Sequence, residues 1–142
     1  MSTDISQANS ALMQAWVDGN FFAATETALE NLVFVTPKDK PWAKITFVPL
    51  QPVIATLGAG GLDRLDGMLQ VDLNYPLNSG TDAIQAKAKD IRNAFTVGRR
   101  FVYEGVEVIT RSCGRSQGRM VEGFYRISVT IVFYCHLIRQ TN

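Results

Sequence analysis

The spacing of apolar positions changes several times along the chain, and each change marks an element. Ile5, Ala8, Leu12, Ala15 and Trp16 recur at steps of three and four residues, the spacing of one helix face. Asp4 stands where a capping side chain belongs and Gly19 where a helix stops, so a first helix is expected over residues 4–18. Thr25, Thr27 and Leu29 alternate with Glu26, Ala28 and Glu30, which reads as a short strand, with a further helical stretch as the alternative. Ile45, Phe47 and Leu50 begin a second strand. Pro49 and Pro52 confine it to an edge or a bulge, because proline has no N–H for the ladder.

Residues 57–67 carry four of the eleven glycines and are expected to form a flexible loop. In residues 68–75, Leu69, Val71, Leu73 and Tyr75 alternate with Met68, Gln70, Asp72 and Asn74, a strand with one apolar face. Ser79, Gly80, Thr81 and Asp82 then start a helix over residues 81–96, with Ile84, Ala88, Ile91 and Phe95 on one stripe and Gly98 beyond it. Residues 101–103 and 106–110 face each other across Glu104-Gly105, a two-residue hairpin connection. Residues 111–119, rich in glycine, serine and arginine, read as a second polar loop. Residues 124–138 alternate throughout, with Tyr125, Ile127, Val129, Ile131, Phe133 and Cys135 on one side. That is a strand long enough to cross the sheet and project beyond it.

This order predicts an α+β fold in one domain: a mostly antiparallel sheet of four to six strands, with a mixed sheet left open, and two helices on one face. The opposite face would carry Gln70, Asn74, Ser128 and Thr130 beside Met68, Val132 and Tyr134. Such a blend suits a surface that is wet until a partner covers it.

A chain of 142 residues with 46% hydrophobic and 19% charged residues is long enough for one core without a metal, a disulfide or a cofactor. No apolar run reaches membrane-spanning length, and Met1-Ser2-Thr3-Asp4 has neither the basic start nor the apolar centre of a secretory signal. A cytoplasm is therefore the expected site of synthesis, and no membrane partner is expected. The net charge of +1 hides an asymmetry. Residues 1–90 are net acidic by four charges, whereas residues 91–142 are net basic by five, and every cation in that second part is arginine. A subunit with opposed halves favours an acidic or a self-complementary partner.

Groups suited to catalysis are sparse. His136 is the lone histidine and has no GxSxG nucleophile motif to serve, so an edge histidine is the expected reading. Gly58, Gly60 and Gly61 look superficially like a phosphate loop. No Lys-Ser or Lys-Thr follows them, and the next element is a strand where a phosphate loop needs a helix. Asp63, Asp66 and Asp72 lack the remaining ligands of a calcium loop. Cys113 and Cys135 lack CxxC spacing and read as buried structural thiols. The arginines could meet DNA phosphates or the acidic half of a neighbouring subunit, and the neighbour is favoured because no nucleic-acid reading motif surrounds them.

A sequence of weak marks along the whole chain resembles the bacteriophage tail terminator-like proteins, also described as tail completion or head-tail joining proteins. The marks are the first helix, Glu30-Asn31 followed by Phe34 and Pro37, the strand opening at Trp42, and Leu57-Gly58 leading through Arg64 and Gly67 into Gln70-Val71. Ser79-Gly80-Thr81 at the second helix, Phe95 and Gly98 at its end, and the long last strand complete them. Residues 19–30 and 111–119 depart from the pattern.

The resemblance implies a non-enzymatic virion protein without cofactor or metal. It would form a ring, usually a hexamer, that caps the head-proximal end of the tail tube, stops tube growth and docks the head connector. DNA would pass through it without sequence-specific binding. Another head-closure or minor tail protein is the alternative, with a DNA-binding module behind it. The expected subunit or tube contacts are Leu57, Leu62, Asp63, Arg64 and Met68 from the first loop and strand, with Arg111, Arg115 and Arg119 from the second loop.

Overall fold

The computed structural model describes residues 3–139; Met1 and Ser2 of the stretch read above lie outside them. The first helix, α1, spans Ile5–Gly19. Asp4 caps it, its backbone N–H donating to Gln7 Oε1 at 2.7 Å. Gly19 is the last helical residue. The left-handed exit falls on Asn20 at φ 52°, a conformation asparagine tolerates better than most residues. A 3-10 turn at Ala24–Glu26 leads into β1, Thr27–Ala28, so the short expected strand shrinks to two residues.

The remaining elements are β2 (Trp42–Pro49), β3 (Val53–Ile54), β4 (Leu62–Pro76), α2 (Asp82–Ala94), β5 (Arg100–Tyr103), β6 (Val106–Arg115), β7 (Arg119–Val121) and β8 (Phe124–Ile138). They build one sheet in the order β1-β2-β4-β8-β6-β5, with β3 beside β4 and β7 beside β8. Among the described residues only β1 and β2 pair in parallel, so the fold is α+β with a mixed, mostly antiparallel sheet. β2 is an interior strand where β1 flanks it, at Ala43 and Lys44, and an edge from there to Pro49.

The alternating apolar residues of the strands share one face with both helices. Leu65, Leu69, Val71, Leu73, Ile127, Val129, Ile131 and Phe133 form a single buried cluster with Ala8, Leu12 and Trp16 of α1 and Ile84, Ala88 and Ile91 of α2. At about 1.5–3 kcal/mol for each large apolar side chain removed from water, this cluster dominates the fold's stability.

Three expectations are corrected. Residues 57–67 are not all loop, since β4 begins at Leu62 and only residues 57–61 stay outside it. Gly67 does not loosen the chain. A side chain there would meet Val48 O at 2.8 Å and Phe133 Cζ at 2.9 Å, so the glycine is the space into which the Phe133 ring packs. Residues 111–119 are not one loop either. β6 runs to Arg115 through a bulge between Thr110 and Ser112, and β7 starts at Arg119. Finally, β8 does not project beyond the sheet, because β4 pairs with it from Leu62↔Ile138 to Pro76↔Phe124.

The Glu104-Gly105 hairpin forms as expected, with both turn residues at positive φ. Glu122-Gly123 closes a second hairpin of the same kind between β7 and β8.

Candidate assembly surfaces

The face of the sheet turned away from the helices is built by the alternate residues of β4 and β8, and its charged groups fall into two clusters. At one end Arg64 stacks its guanidinium over the Tyr134 ring, 4.4 Å from the centroid, and binds Asp66 at 3.1 Å. Arg111 projects from the β6 bulge and reaches the same carboxylate at 3.4 Å. The Asp66 hydrogen bond raises the Arg64 pKa further, so the group stays charged at any working pH. Met68 lies next along this face, half-buried between its strand partners Val48 and Val132.

At the other end part of the face expected to stay wet until a partner covers it is already buried by the chain itself, while Gln70 and Thr130 stay half-buried. Asp72, Asn74 and Ser128 are buried. Ser128 Oγ donates to Asp72 at 2.6 Å, Gln70 donates to Asp72 at 3.1 Å, and Arg126 Nε donates to Asn74 Oδ1 at 2.7 Å. Arg119 donates to both Ser116 Oγ and Ser128 Oγ. Beside this network Phe34 and Phe124 flank the Trp42 ring, at centroid distances of 5.1 and 5.7 Å. A buried carboxylate held by neutral donors is a network that fixes local structure.

The loop before β4 is held by an arginine that sequence reasoning did not single out. Arg139, just after β8, donates to Thr56 O, to Gly58 O at 2.6 Å and to Leu62 O at 3.0 Å, and it pairs with Asp63. The Leu62 amide donates in turn to Thr56 Oγ1 at 2.6 Å. The loop is thus pinned at its base, and it presents Leu57, 88% exposed, to solvent, while Leu50 and the β3 residues Val53 and Ile54 before it are exposed as well. Val53 and Ile54 are consecutive strand residues and point to opposite faces of β3, so the exposed apolar side chains of this region face more than one direction.

The expected contact residues therefore do not form one site. Leu57, Leu62 and Asp63 gather at the pinned loop. Arg64, Met68 and Arg111 share the open end of the sheet face. Arg119 is engaged in the buried network, and Arg115 stands apart at the end of β6, opposite Val129. Asp63, Asp66 and Asp72 serve separate partners, and among the described residues no cluster of His, Cys, Asp and Glu could hold a metal ion.

A second apolar surface was also missed by sequence reasoning. Leu32, Val33 and Val35, beyond β1, are exposed at 66%, 99% and 82%. An apolar run without alternation gave it no strand or helix signal. His136 is exposed, its ring edge-on to Tyr134. Burial raises the pKa of both cysteines; for Cys113 nearby Arg92 partly opposes the shift, and Cys135 is pushed up to about 11. Both are free thiols. Among the described residues no helix is long and apolar enough to cross a membrane.

Comparison with known proteins identifies the family and the fold over most of the length. A family model described as phage tail terminator protein matches residues 4–133. One solved structure, at 16% sequence identity, shares the fold over 94% of this chain and 96% of its own, with a TM-score of 0.75. No curated protein sequence matches.

Proposed function

The chain belongs to the phage tail terminator family, a structural component of the virion tail, and from that premise we propose that it works as a closed ring, hexameric, at the head-proximal end of the tail tube. The ring stops tube polymerisation and offers the opposite surface to the head connector. Its mode of action is binding and not turnover. A subunit with two different contact surfaces joins head to tail, and the series closes when the rotation per subunit divides a full turn.

The observation that supports the reading most directly is the family match over residues 4–133. The exposed apolar region before β4 supports it: Leu57 is exposed on a loop that Arg139 holds in one shape, and Val53 and Ile54 are exposed on β3, which the β4 ladder holds, so docking costs little ordering entropy. We assign this region, with Leu62 and Asp63 at its base, to the tube-facing surface. Arg64, Met68 and Arg111 belong to the surface between subunits or toward the tube. DNA passes through the ring without being read. Arg64, Arg100, Arg111, Arg119, Arg126 and Arg139 are already engaged by acceptors of their own chain, which does not favour a DNA-reading role.

The test is tube growth in vitro. The protein added to polymerising tube subunits is expected to halt elongation at substoichiometric amounts, and Leu57→Asp is expected to abolish the halt while leaving the monomer folded. Tube growth indifferent to the wild-type protein would overturn the capping role. Reversal of Arg64 to Glu is expected to weaken assembly, and unchanged assembly would remove that residue from the contacts.

A further inference from the structure

A cavity lies between α2 and the last residues of β6. Its volume is about 600 Å³, and it opens to solvent. Lys89 and Arg92 of α2 line one wall and Arg115 of β6 the other, with Ala88, Gly114 and Val129 between them. Three cations share this recess with no carboxylate in its lining, and among the described residues none of the three is in an ion pair. Like charges gathered without a counter-charge repel one another, so the recess gains from an anionic occupant.

The recess also lies at a free edge. β5 registers only with residues 106–109 of β6, so no strand covers Ser112–Arg115 on the side away from β8.

At the opposite edge of the same sheet, beside β1, lies a surface of complementary character. Residues 19–37 contain Glu26 and Glu30 and no lysine or arginine. Lys87 of α2 lies at the start of the segment, donating to Phe21 O at 3.0 Å, and Lys38 and Lys40 follow its end, so the acidic part is confined to residues 26–35. The same segment exposes Leu29, Leu32, Val33 and Val35. Glu30 holds it to the β2 edge by accepting the Phe47 amide at 2.6 Å.

We infer that the cationic groove between α2 and the free edge of β6 receives the acidic, apolar segment 26–35 of a second copy of this chain. Two different patches on opposite sheet edges are what a heterologous contact requires. A recess with an apolar floor and a charged rim matches a protein segment. A duplex backbone, by contrast, offers a row of phosphates to cations that protrude. The inference rests on the ring reading above and names the contact that would build the ring.

Two variants test it, each altering one side. Arg92→Glu with Arg115→Glu reverses the groove at two exposed positions, and Val33→Asp puts a charge on a side chain that touches almost nothing in its own chain. Far-UV circular dichroism and melting should show both folded. If the double reversal fails to fold, the milder Arg92→Gln with Arg115→Gln takes its place.

By sedimentation, each variant alone is expected to need a roughly hundredfold higher concentration for half-assembly. Mixed in equal amounts they should give a heterodimer and nothing larger, because one intact groove faces one intact segment. Rings from either variant at wild-type concentrations would overturn the inference and leave the ring reading standing. A wild-type chain that never assembles would overturn both. Normal assembly of the groove variant with loss of salt-dependent duplex DNA binding would assign the groove to phosphates and overturn the inference.

Discussion

Arg139 holds the loop before β4 in place, since its guanidinium ties Thr56, Gly58, Leu62 and Asp63 together. Charge-assisted hydrogen bonds of this kind contribute about 1.5–3 kcal/mol. Arg139→Ala is expected to destabilise the chain by about 2 kcal/mol and to speed amide exchange at Gly61 and Leu62, which chemical denaturation and hydrogen exchange will show. Gly67→Ala is expected to cost about 1–3 kcal/mol by overpacking against Phe133 and the Val48 carbonyl, read as a lowered melting temperature. Cys135 should resist thiol reagents at pH 8 in the native state and react fully in denaturant, because burial holds its pKa near 11. The folded state keeps that proton while the unfolded state releases it. Its contribution to stability is therefore complete below the ordinary thiol range and is lost as pH rises toward 11. Rapid native labelling at pH 8 would contradict the burial. Cys135 was legible as a buried thiol, whereas Arg139 and Gly67 do not announce their roles in the sequence, since they act through cross-strand partners that only the register defines.

Elements were legible where the period was clean and long. α1, α2, β8 and the Glu104-Gly105 hairpin follow from apolar spacing and turn residues. The start of β4 and the end of β6 did not, for one physical reason. Glycine and arginine mark loops when read locally, yet in this sheet Gly67 makes room for a ring, Arg64 lies flat on Tyr134, and the β6 bulge turns Arg111 toward Asp66. The β7–β8 hairpin carries the same Glu-Gly signal as its recognised counterpart, and three-residue β7 is too short to show a period. Gly123→Val is expected to destabilise the chain by about 1–2 kcal/mol, because valine is disfavoured at φ 83°. Its Cβ would meet no neighbouring atom, so the effect should come from the backbone alone, and Gly123→Asn should recover most of it in a melting experiment.

For the whole molecule, the opposed charge of the two halves was visible in the sequence, and the structure neutralises part of it internally, since Asp66 and Asp63 of the first half pair with Arg111 and Arg139 of the second. Glu26, Glu30 and exposed apolar residues lie at the β1 edge, and cations without an ion-pair partner among the described residues lie at the free edge of β6. The candidate surfaces themselves were legible only as residue types, because Arg111, Arg115 and Arg119, close in sequence, point to three different places in the fold. If charge steers subunit contact, assembly should weaken between low and 0.5 M salt while the apolar region before β4 keeps its affinity for the tube, a difference that titration of both interactions will resolve. The central claim is that the chain closes on itself. Native mass measurement of the purified protein across a concentration series tests it most directly: the account predicts a single discrete closed species of six copies, and a monomer at every concentration, or an open ladder of sizes without closure, would contradict it.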